Sequence, residues 1–345
     1  MSPDPAITVI VPTWNRSHYL RDCLGSLARQ RTTVSFEVLV IDNGSTDDTP
    51  HVIDDWCRRD SRFRTSREPR LGLSFAKNAG VRLAHSELLL FADDDMIVDE
   101  QWIDSYRRVF AEQGTERALA GGPYVPIPND LGAWPPWFDE AALPDVGLLD
   151  YREQRVLRPF EYVWGGNMAV PAGVFERIGL WDVSVGRRGE ERGTFEDTEF
   201  QDRWRAAGGS VWFCPGAVML HRIARKETTP RRVLMTAFSR GRNDFAQRRL
   251  HGSGSPDEVD GPSNLRAVAG LVIGLFKWLW WAAYFRVTST QLSMERARRA
   301  AWGVGWTLDR GRFNRESSLF WRALARVTFA VRGLVRRLAP TSRSP

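Results

Sequence analysis

Residues 87–99 read ELLLFADDDMIVD, a short apolar run that ends at three consecutive aspartates. The run over 87–92 has the length and the apolar content of a buried strand. A strand that delivers three carboxylates to one place is costly unless a cation neutralises them. Carboxylates are hard oxygen ligands that suit Mg²⁺ or Mn²⁺, and both ions also bind phosphates. Taken alone, the triplet could also be a solvated turn or the cap of a helix.

The segments before this stretch alternate between strand-like and helix-like patterns. ITVIVP at 7–12 and FEVLVID at 36–42 are apolar runs that predict two further buried strands. The spacing of apolar residues over 17–29 and over 73–84 predicts helices that alternate with the strands. This alternation predicts an α/β fold with a mostly parallel sheet flanked by helices, whose site lies at the carboxyl ends of the strands.

The second part of the chain contains two segments that are typical of long loops. One is the Pro/Gly/Trp-rich stretch 121–139, and the other is VSVGRRGEERGT at 183–194. Between them, residues 165–182 predict a strand and a short helix. A helix is predicted from the sequence FEDTEF onward, and it is followed by two short strands, SVWFC at 210–214 and AVMLHR at 217–222.

The chain of 345 residues carries a net charge of +6 that is unevenly distributed. Residues 264–345 hold 15 Lys/Arg against 3 Asp/Glu, so the preceding residues are acidic on balance. The basic segment is also apolar and rich in tryptophan. This combination favours an anionic membrane surface over nucleic acid as its partner.

Composition divides the chain into three predicted parts: an α/β domain over 1–250, a linker over 251–264, and a basic helical tail over 265–345. The apolar run 267–285, interrupted by Lys277, predicts either a membrane span or a helix that lies on the membrane surface. Residues 321–338 predict a basic amphipathic helix. That helix could lie among lipid headgroups or pack on the main domain.

Cysteine usage and the first residues point to a cytoplasmic location. Cys23, Cys57 and Cys214 are widely spaced and include no CxxC pair, which fits a reducing compartment. The residues before Ile7 lack the pattern of a secretory signal. We therefore expect the chain at the cytoplasmic face of the cell membrane, bound peripherally or through one short inserted segment.

A series of motifs follows the chain in this order: PTWNR (12–16), IDNGSTDDT (41–49), GLSFAKNAG (72–80), FADDD (91–95), GGNMA (165–169), FEDTEF (195–200) and the histidine at 221. With this series the chain resembles the family 2 glycosyltransferases, which have the GT-A fold. The resemblance covers roughly residues 6–245. It implies an enzyme that moves a sugar from a nucleotide-sugar donor to an acceptor hydroxyl.

The resemblance implies roles for individual residues on the donor side. The donor-binding residues would be Pro12, Thr13, Asn15, Asp42, Arg70, Lys77, Asn78, Asp93 and Asp94. Among them, Thr13 and Asp42 would contact the base and ribose, and Lys77 and Asn78 would bind the diphosphate or pack the donor loop. Asp95 and His221 would bind the Mg²⁺ or Mn²⁺ ion. Without the resemblance, Asp42 could be a turn residue and Arg70 and Lys77 ordinary surface cations.

The resemblance also implies the catalytic and acceptor residues. Asp197, in the pair Glu196–Asp197 at the start of a predicted helix, would take the proton of the acceptor hydroxyl. A carboxylate there could alternatively cap the helix. A single displacement by that route inverts the anomeric configuration. The acceptor side would consist of Trp164, Gly165, Gly166 and Asn167.

The leading hypothesis is therefore an inverting, Mg²⁺- or Mn²⁺-dependent glycosyltransferase that uses a UDP-sugar. Its acceptor would be a hydroxyl on a lipid-linked molecule such as a polyprenyl-diphosphate sugar. Gln201-Asp-Arg-Trp204 is too short for the QxxRW signature of processive members, so we expect the addition of one sugar or a few. The alternatives are a nucleotidyltransferase of similar fold and a non-catalytic nucleotide-binding protein. No role in nucleic-acid binding is expected.

Overall fold

The computed structural model describes residues 5–113, 118–128, 132–138, 140–184 and 196–238, with residues 277, 278, 280, 294–301 and 303. The chain divides into two compact units, one made of residues 1–127 and 148–222 and the other of 128–147 and 223–345. The predicted linker and the predicted amphipathic helix lie outside the described residues. So does most of the apolar run that was considered as a membrane span.

The first unit contains eleven described strands and six described α-helices. The strands are β1 (Ile7–Thr13), β2 (Phe36–Asp42), β3 (Phe63–Arg67), β4 (Leu88–Ala92), β5 (Met96–Val98), β6 (Ala118–Gly121), β7 (Tyr124–Pro128), β8 (Arg155–Val156), β9 (Asn167–Pro171), β10 (Ser210–Phe213) and β11 (Met219–Ile223). The helices are α1 (Ser17–Ala28), α2 (Thr49–Arg59), α3 (Leu73–Leu83), α4 (Trp102–Gln113), α5 (Ala172–Ile178) and α6 (Glu196–Ala206). The last residues of β7 and β11 extend into the second unit.

Eight strands form the main sheet in the order β3-β2-β1-β4-β9-β6-β10-β8. β1 pairs in parallel with both β2 and β4, and β2 pairs in parallel with β3. β9 runs antiparallel to β4 and β6. All residues of β1 and β4 are buried, as is usual for strands covered on both faces. The mostly parallel α/β sheet predicted from the sequence is confirmed.

Parallel pairing brings the carboxyl ends of three strands to one edge of the sheet. Thr13 at the end of β1 lies opposite Asp42 at the end of β2. β4 ends at Ala92, directly before the aspartate triplet. The polar clusters of the sequence therefore meet at one edge, where α/β folds place their sites.

A second sheet of three strands, in the order β5-β11-β7, lies after the triplet in the chain. Its pairing places His221 of β11 opposite Met96 of β5. β7 forms within the stretch 121–139 that the sequence predicted to be a loop, so that prediction was wrong for residues 124–128. β7 is an edge strand of its sheet, and edge strands tolerate prolines such as Pro126 because one side of the strand makes no ladder hydrogen bonds.

The second unit is described only in part. It contains two 3₁₀ helices, Glu140–Val146 and Arg225–Thr228, and a helix over 230–238. Its apolar core consists of Phe138, Ala142, Val146, Ile223 and Val233. Within the described residues, no helix is both long enough and apolar enough to cross a membrane.

Candidate active site

An open cleft lies at the sheet edge where β1 and β4 end. Its walls are formed by Pro12, Thr13, Trp14, Arg16, Asn43, Leu71, Gly72, Leu73, Ala76, Asp93, Asp94 and Asp95. The structure therefore brings the triplet together with the end of β1 and with the loop before α3.

Two of the residues predicted to bind the donor hold the loops of this cleft. The side-chain oxygen of Asn15, a residue with φ of 52°, accepts a hydrogen bond from the backbone N–H of Thr46 at 2.8 Å. The Asp42 carboxylate is buried and accepts one from the backbone N–H of Ser45 at 2.9 Å. The first bond holds the loop after β2 to the loop after β1, and the second holds the loop after β2 to the end of its own strand.

Asn43, which the sequence did not single out, shapes the loop that leads to α3. Its amide donates to the backbone carbonyls of Glu68 at 2.9 Å and Arg70 at 2.8 Å, and it accepts from the N–H of Gly72 at 2.7 Å. The Arg70 guanidinium forms a two-point ion pair with Glu68 and lies over the ring of Phe75. Arg70 is exposed beside the cleft but is not one of the residues that line it.

Each carboxylate of the triplet has its own partner. Tyr124 donates its hydroxyl to Asp93 at 2.8 Å, and Thr13 donates to Asp94 at 2.7 Å. The Arg16 guanidinium pairs with Asp95 at 2.7 Å. Burial and the neighbouring Asp95 carboxylate raise the pKa of Asp94 to about 7, although Arg16 and Thr13 act in the opposite direction. The cluster thus carries more negative charge than its described partners neutralise.

Asp95 and His221 fit a divalent cation as a pair of ligands. The Nε2 atom of His221 lies 4.0 Å from a carboxylate oxygen of Asp95, and its Nδ1 atom is buried without a hydrogen-bond partner in the described part of the chain. Among the described residues, no group of three or more His, Cys, Asp or Glu side chains is arranged to hold a metal. Mg²⁺ and Mn²⁺ sites that include a diphosphate need only one or two protein ligands, because phosphate oxygens and water complete the shell.

A second group of charged residues, apart from the triplet, surrounds Asp197, which lies in the first turn of α6. One of its carboxylate oxygens accepts a hydrogen bond from the Lys77 ammonium at 2.7 Å, and the other accepts from the backbone N–H of Gly165 at 2.9 Å. The carboxylate remains 24% exposed. A carboxylate has about four acceptor positions, and the described residues occupy two of them, which leaves two for a hydroxyl donor.

Lys77 and Glu196 are buried beside Asp197. Burial by itself lowers the pKa of Lys77, but the Asp197, Glu196 and Asp93 carboxylates together raise it, so the ammonium stays charged. Burial and the Asp197 charge raise the pKa of Glu196. One oxygen of Glu196 is buried and accepts no hydrogen bond from the residues that the structure describes.

Two consecutive glycines make room for the carboxylates of both groups. A Cβ atom on Gly165 would lie 2.0 Å from Asp197, and one on Gly166 would lie 2.0 Å from Asp93. The preceding residue, Trp164, is 42% exposed, and its ring lies 5.1 Å from that of Tyr124. The segment 164–166 therefore carries an exposed aromatic surface next to Asp197.

Two predicted site residues belong to the interior instead. Asn78 is buried, and its amide bonds to both the N–H and the carbonyl of Trp181. Asn167 is fully buried, and its amide makes hydrogen bonds to four groups, those of Trp102, Tyr106, Pro123 and Ala217. The polar atoms of both side chains are thus paired within the protein, which favours a structural role, and contact of either with a substrate stays a prediction.

Comparison with known proteins agrees with the fold. Residues 8–178 match the model of glycosyl transferase family 2, and the chain belongs to this family. Its mostly parallel sheet flanked by helices matches the GT-A fold. The solved mannosyltransferase PcManGT from Pyrobaculum calidifontis, in complex with GDP-Man and Mn²⁺, has a similar fold. The TM-score is 0.52 at 16% identity, over 98% of this chain and 85% of that one.

Two curated relatives are similar in sequence over part of the chain. Validoxylamine A glucosyltransferase of Streptomyces hygroscopicus subsp. jinggangensis is 30% identical over 200 residues, which cover 52% of this chain and 47% of the relative. Chondroitin synthase of Pasteurella multocida is 24% identical over 241 residues, which cover 62% of this chain and 24% of the relative. The chain thus spans about half the length of the first and about a quarter of the second.

Proposed function

We propose that this chain transfers one sugar from a nucleotide-sugar donor to an acceptor hydroxyl, with inversion at the anomeric carbon. The observation that carries the proposal is the placement of two carboxylate groups on either side of one glycine pair. Asp197 is held over Gly165, and Asp93 of the triplet is held over Gly166. The proposed base, Asp197, and the acidic cluster proposed to bind the donor therefore lie against two consecutive residues of the chain.

Asp197 is the proposed general base. Its carboxylate is partly exposed and its orientation is fixed through both oxygens, by Lys77 and by the Gly165 N–H. A hydroxyl that hydrogen-bonds to a remaining lone pair would be aligned for attack, and its proton would pass to Asp197 as the new bond forms. Because one displacement takes place, an α-linked donor gives a β-linked product.

The donor diphosphate is proposed to lie in the cleft beside the triplet. Asp95 and His221 would hold Mg²⁺ or Mn²⁺ there, and the ion, when bound, neutralises charge that develops on the diphosphate leaving group. Arg16, which pairs with Asp95, brings a second positive charge to the same wall. A UDP-sugar is the first donor to test, and the GDP-mannose complex of the structural neighbour makes a GDP-sugar the second.

The acceptor is proposed to present a sugar hydroxyl. Trp164 offers an exposed aromatic face one residue away from the Gly165 N–H that binds Asp197. The apolar face of a pyranose can pack on such a ring, and this would direct one hydroxyl towards the carboxylate. The basic, Trp-rich tail leads us to propose further that this sugar is lipid-linked, as in a polyprenyl-diphosphate sugar at the cytoplasmic face of a membrane.

The test is nucleotide release from UDP-, GDP- and dTDP-sugars with Mn²⁺ or Mg²⁺, comparing the wild type with Asp197→Asn. We expect release from one donor only with metal, and a decrease of about 100-fold or more in the variant, because a general base contributes on the order of 10²–10⁴ to the rate. The matched control is Asp202→Asn on the same helix, whose carboxylate binds the Tyr162 hydroxyl. It should retain the wild-type rate.

Three other outcomes would contradict the proposal. Binding of a nucleotide-sugar without release, even with sugar acceptors present, would indicate a non-catalytic binding protein. Formation of a sugar nucleotide from a sugar phosphate and a nucleoside triphosphate would indicate a nucleotidyltransferase. Equal release by the wild type and Asp197→Asn would exclude Asp197 as the base.

A further inference from the structure

We infer that Lys77 is the residue that positions the Asp197 carboxylate, and that it does not bind the donor. This inference rests on the proposed function, because it concerns the base of that reaction. It also replaces the expectation that Lys77 contacts the diphosphate. The two roles make opposite predictions about kinetics, so they can be separated.

The contact between the two residues is short and shielded from water. The Lys77 ammonium lies 2.7 Å from Oδ1 of Asp197, and the lysine side chain is 1% exposed. Lys77 lies in the middle of α3, 120 residues before Asp197 in the sequence. It is not among the residues that line the donor cleft. The ammonium therefore hydrogen-bonds to Asp197 and lies outside the lining of the cleft.

An aromatic wall fixes the lysine and the helix of Asp197 to each other. The Lys77 ammonium lies 5.3 Å from the centre of the Trp181 ring, within the range of a cation–π contact. The backbone of Trp181 is held on both sides by the amide of Asn78, the neighbour of Lys77. The Trp181 ring stacks on Phe200 of α6 with centroids 4.4 Å apart. Trp181 thus contacts both α3 and α6, and this packing fixes the position of Lys77 relative to Asp197.

The charges around Asp197 explain why it needs this cation. From its own helix it faces Glu196, and from the end of β4 and from β7 it faces Asp93 and Tyr124. Three carboxylates close together favour protonation of one another. Among the described residues, Lys77 is the cation in contact with Asp197. Removing Lys77 should therefore leave Asp197 without the contact that orients its carboxylate, and leave the three carboxylates without this cation.

The central experiment measures kcat, the KM for the donor, and the pH dependence of kcat for Lys77→Met. Methionine keeps most of the aliphatic stem and removes the charge. We expect kcat at neutral pH to decrease by about 10- to 100-fold, because the Asp197 carboxylate loses the contact that orients it, while the donor KM stays within about 2-fold. The acid limb of the pH profile should move upward by about one unit or more, since the loss of an adjacent opposite charge has an effect of that order. Arg82→Met, an exposed cation on the same helix, should leave all three unchanged.

A double variant keeps the inference testable if Lys77→Met folds poorly. Lys77→Met combined with Asp197→Asn removes both charges of this ion pair, so neither partner is left charged without the other. If Lys77 acts only through Asp197, the double variant should have the residual turnover and the donor affinity of Asp197→Asn alone. A further loss of about 10-fold in either quantity would contradict the inference.

The opposite kinetic result for Lys77→Met would also overturn the inference. An increase of about 10-fold or more in donor KM, with kcat and the acid limb of the pH profile unchanged, would indicate that Lys77 binds the donor. Both conclusions require an active wild type. A wild type that turns over no donor contradicts the proposed function itself, and the inference about Lys77 then falls with it.

Discussion

Asn167 uses its whole amide group inside the protein. Its oxygen accepts from the Trp102 indole N–H at 2.8 Å and from the Tyr106 hydroxyl at 2.7 Å. Its nitrogen donates to the carbonyls of Pro123 and Ala217, both at 3.0 Å. The residue therefore fastens the start of β9 to α4 and to the segments before β7 and β11. Asn167, which the sequence suggested for contact with the acceptor, thus holds several elements of the protein together.

We predict that Asn167→Asp lowers the free energy of unfolding by about 2–4 kcal/mol. The variant keeps the shape of the side chain but loses both donors and points a carboxylate at two buried carbonyls. Urea unfolding followed by circular dichroism measures the change. Gln154→Ala, which alters an exposed amide, should stay within about 0.5 kcal/mol of the wild type. Unchanged stability together with a raised acceptor KM would show that Asn167 does contact the acceptor.

The turn before β9 brings Asp197 and the aspartate triplet close together. Gly165 and Gly166 lie under Asp197 and Asp93, so neither position has space for a side chain. The backbone of the turn also takes part, because the Gly165 N–H binds Asp197 and the Gly166 carbonyl accepts from the N–H of Asp93. A small change in this turn should therefore move both carboxylates.

We predict that Gly165→Ala reduces turnover by about 100-fold while the protein stays folded. The new methyl group would overlap the Asp197 carboxylate and displace it, and a misplacement of about 1 Å costs a factor of this order. The steady-state rate and the melting temperature are measured together. Gly173→Ala is the matched control, since a Cβ there meets no atom within 4 Å. If both variants kept full activity, Asp197 would not be the group whose position limits the reaction.

The sequence predicted the elements whose patterns are strong. β1, β2 and β4 are continuous apolar runs, and they lie where the runs indicated. β3, with the sequence FRTSR, gave no such signal, because only Phe63 of its five residues is buried. β7 was predicted as part of a loop because two of its five residues are prolines. Short or edge strands depend on partners elsewhere in the chain, which local patterns do not contain.

The candidate site was predicted in part for a similar reason. The triplet and the end of β1 line one cleft, in agreement with their positions at strand ends. The partners of Asp197 could not be read from spacing, because Lys77 and Gly165 lie 120 and 32 residues away from it. Arg16 as the partner of Asp95 was missed as well, since an arginine after a strand is usually a surface residue.

At the scale of the whole molecule, the site is assembled from four segments spread along the first unit. These are the end of β1 with Arg16, the triplet, the turn over 164–166, and the first turn of α6. The parallel sheet brings the first two together, and the antiparallel strand β9 carries the third to Asp93. The proposed reaction is accordingly one direct displacement. The donor would lie beside the triplet, and the nucleophile would approach from the side of Asp197.

The most direct test of this claim is the anomeric configuration of the first product. The enzyme is given its preferred α-linked nucleotide-sugar and metal without an acceptor, so that water takes the place of the hydroxyl. Proton NMR then follows the released sugar before its anomers equilibrate. We expect the β anomer to appear first, because the proposed base Asp197 would activate the nucleophile on the face opposite the diphosphate. Initial release of the α anomer would contradict it.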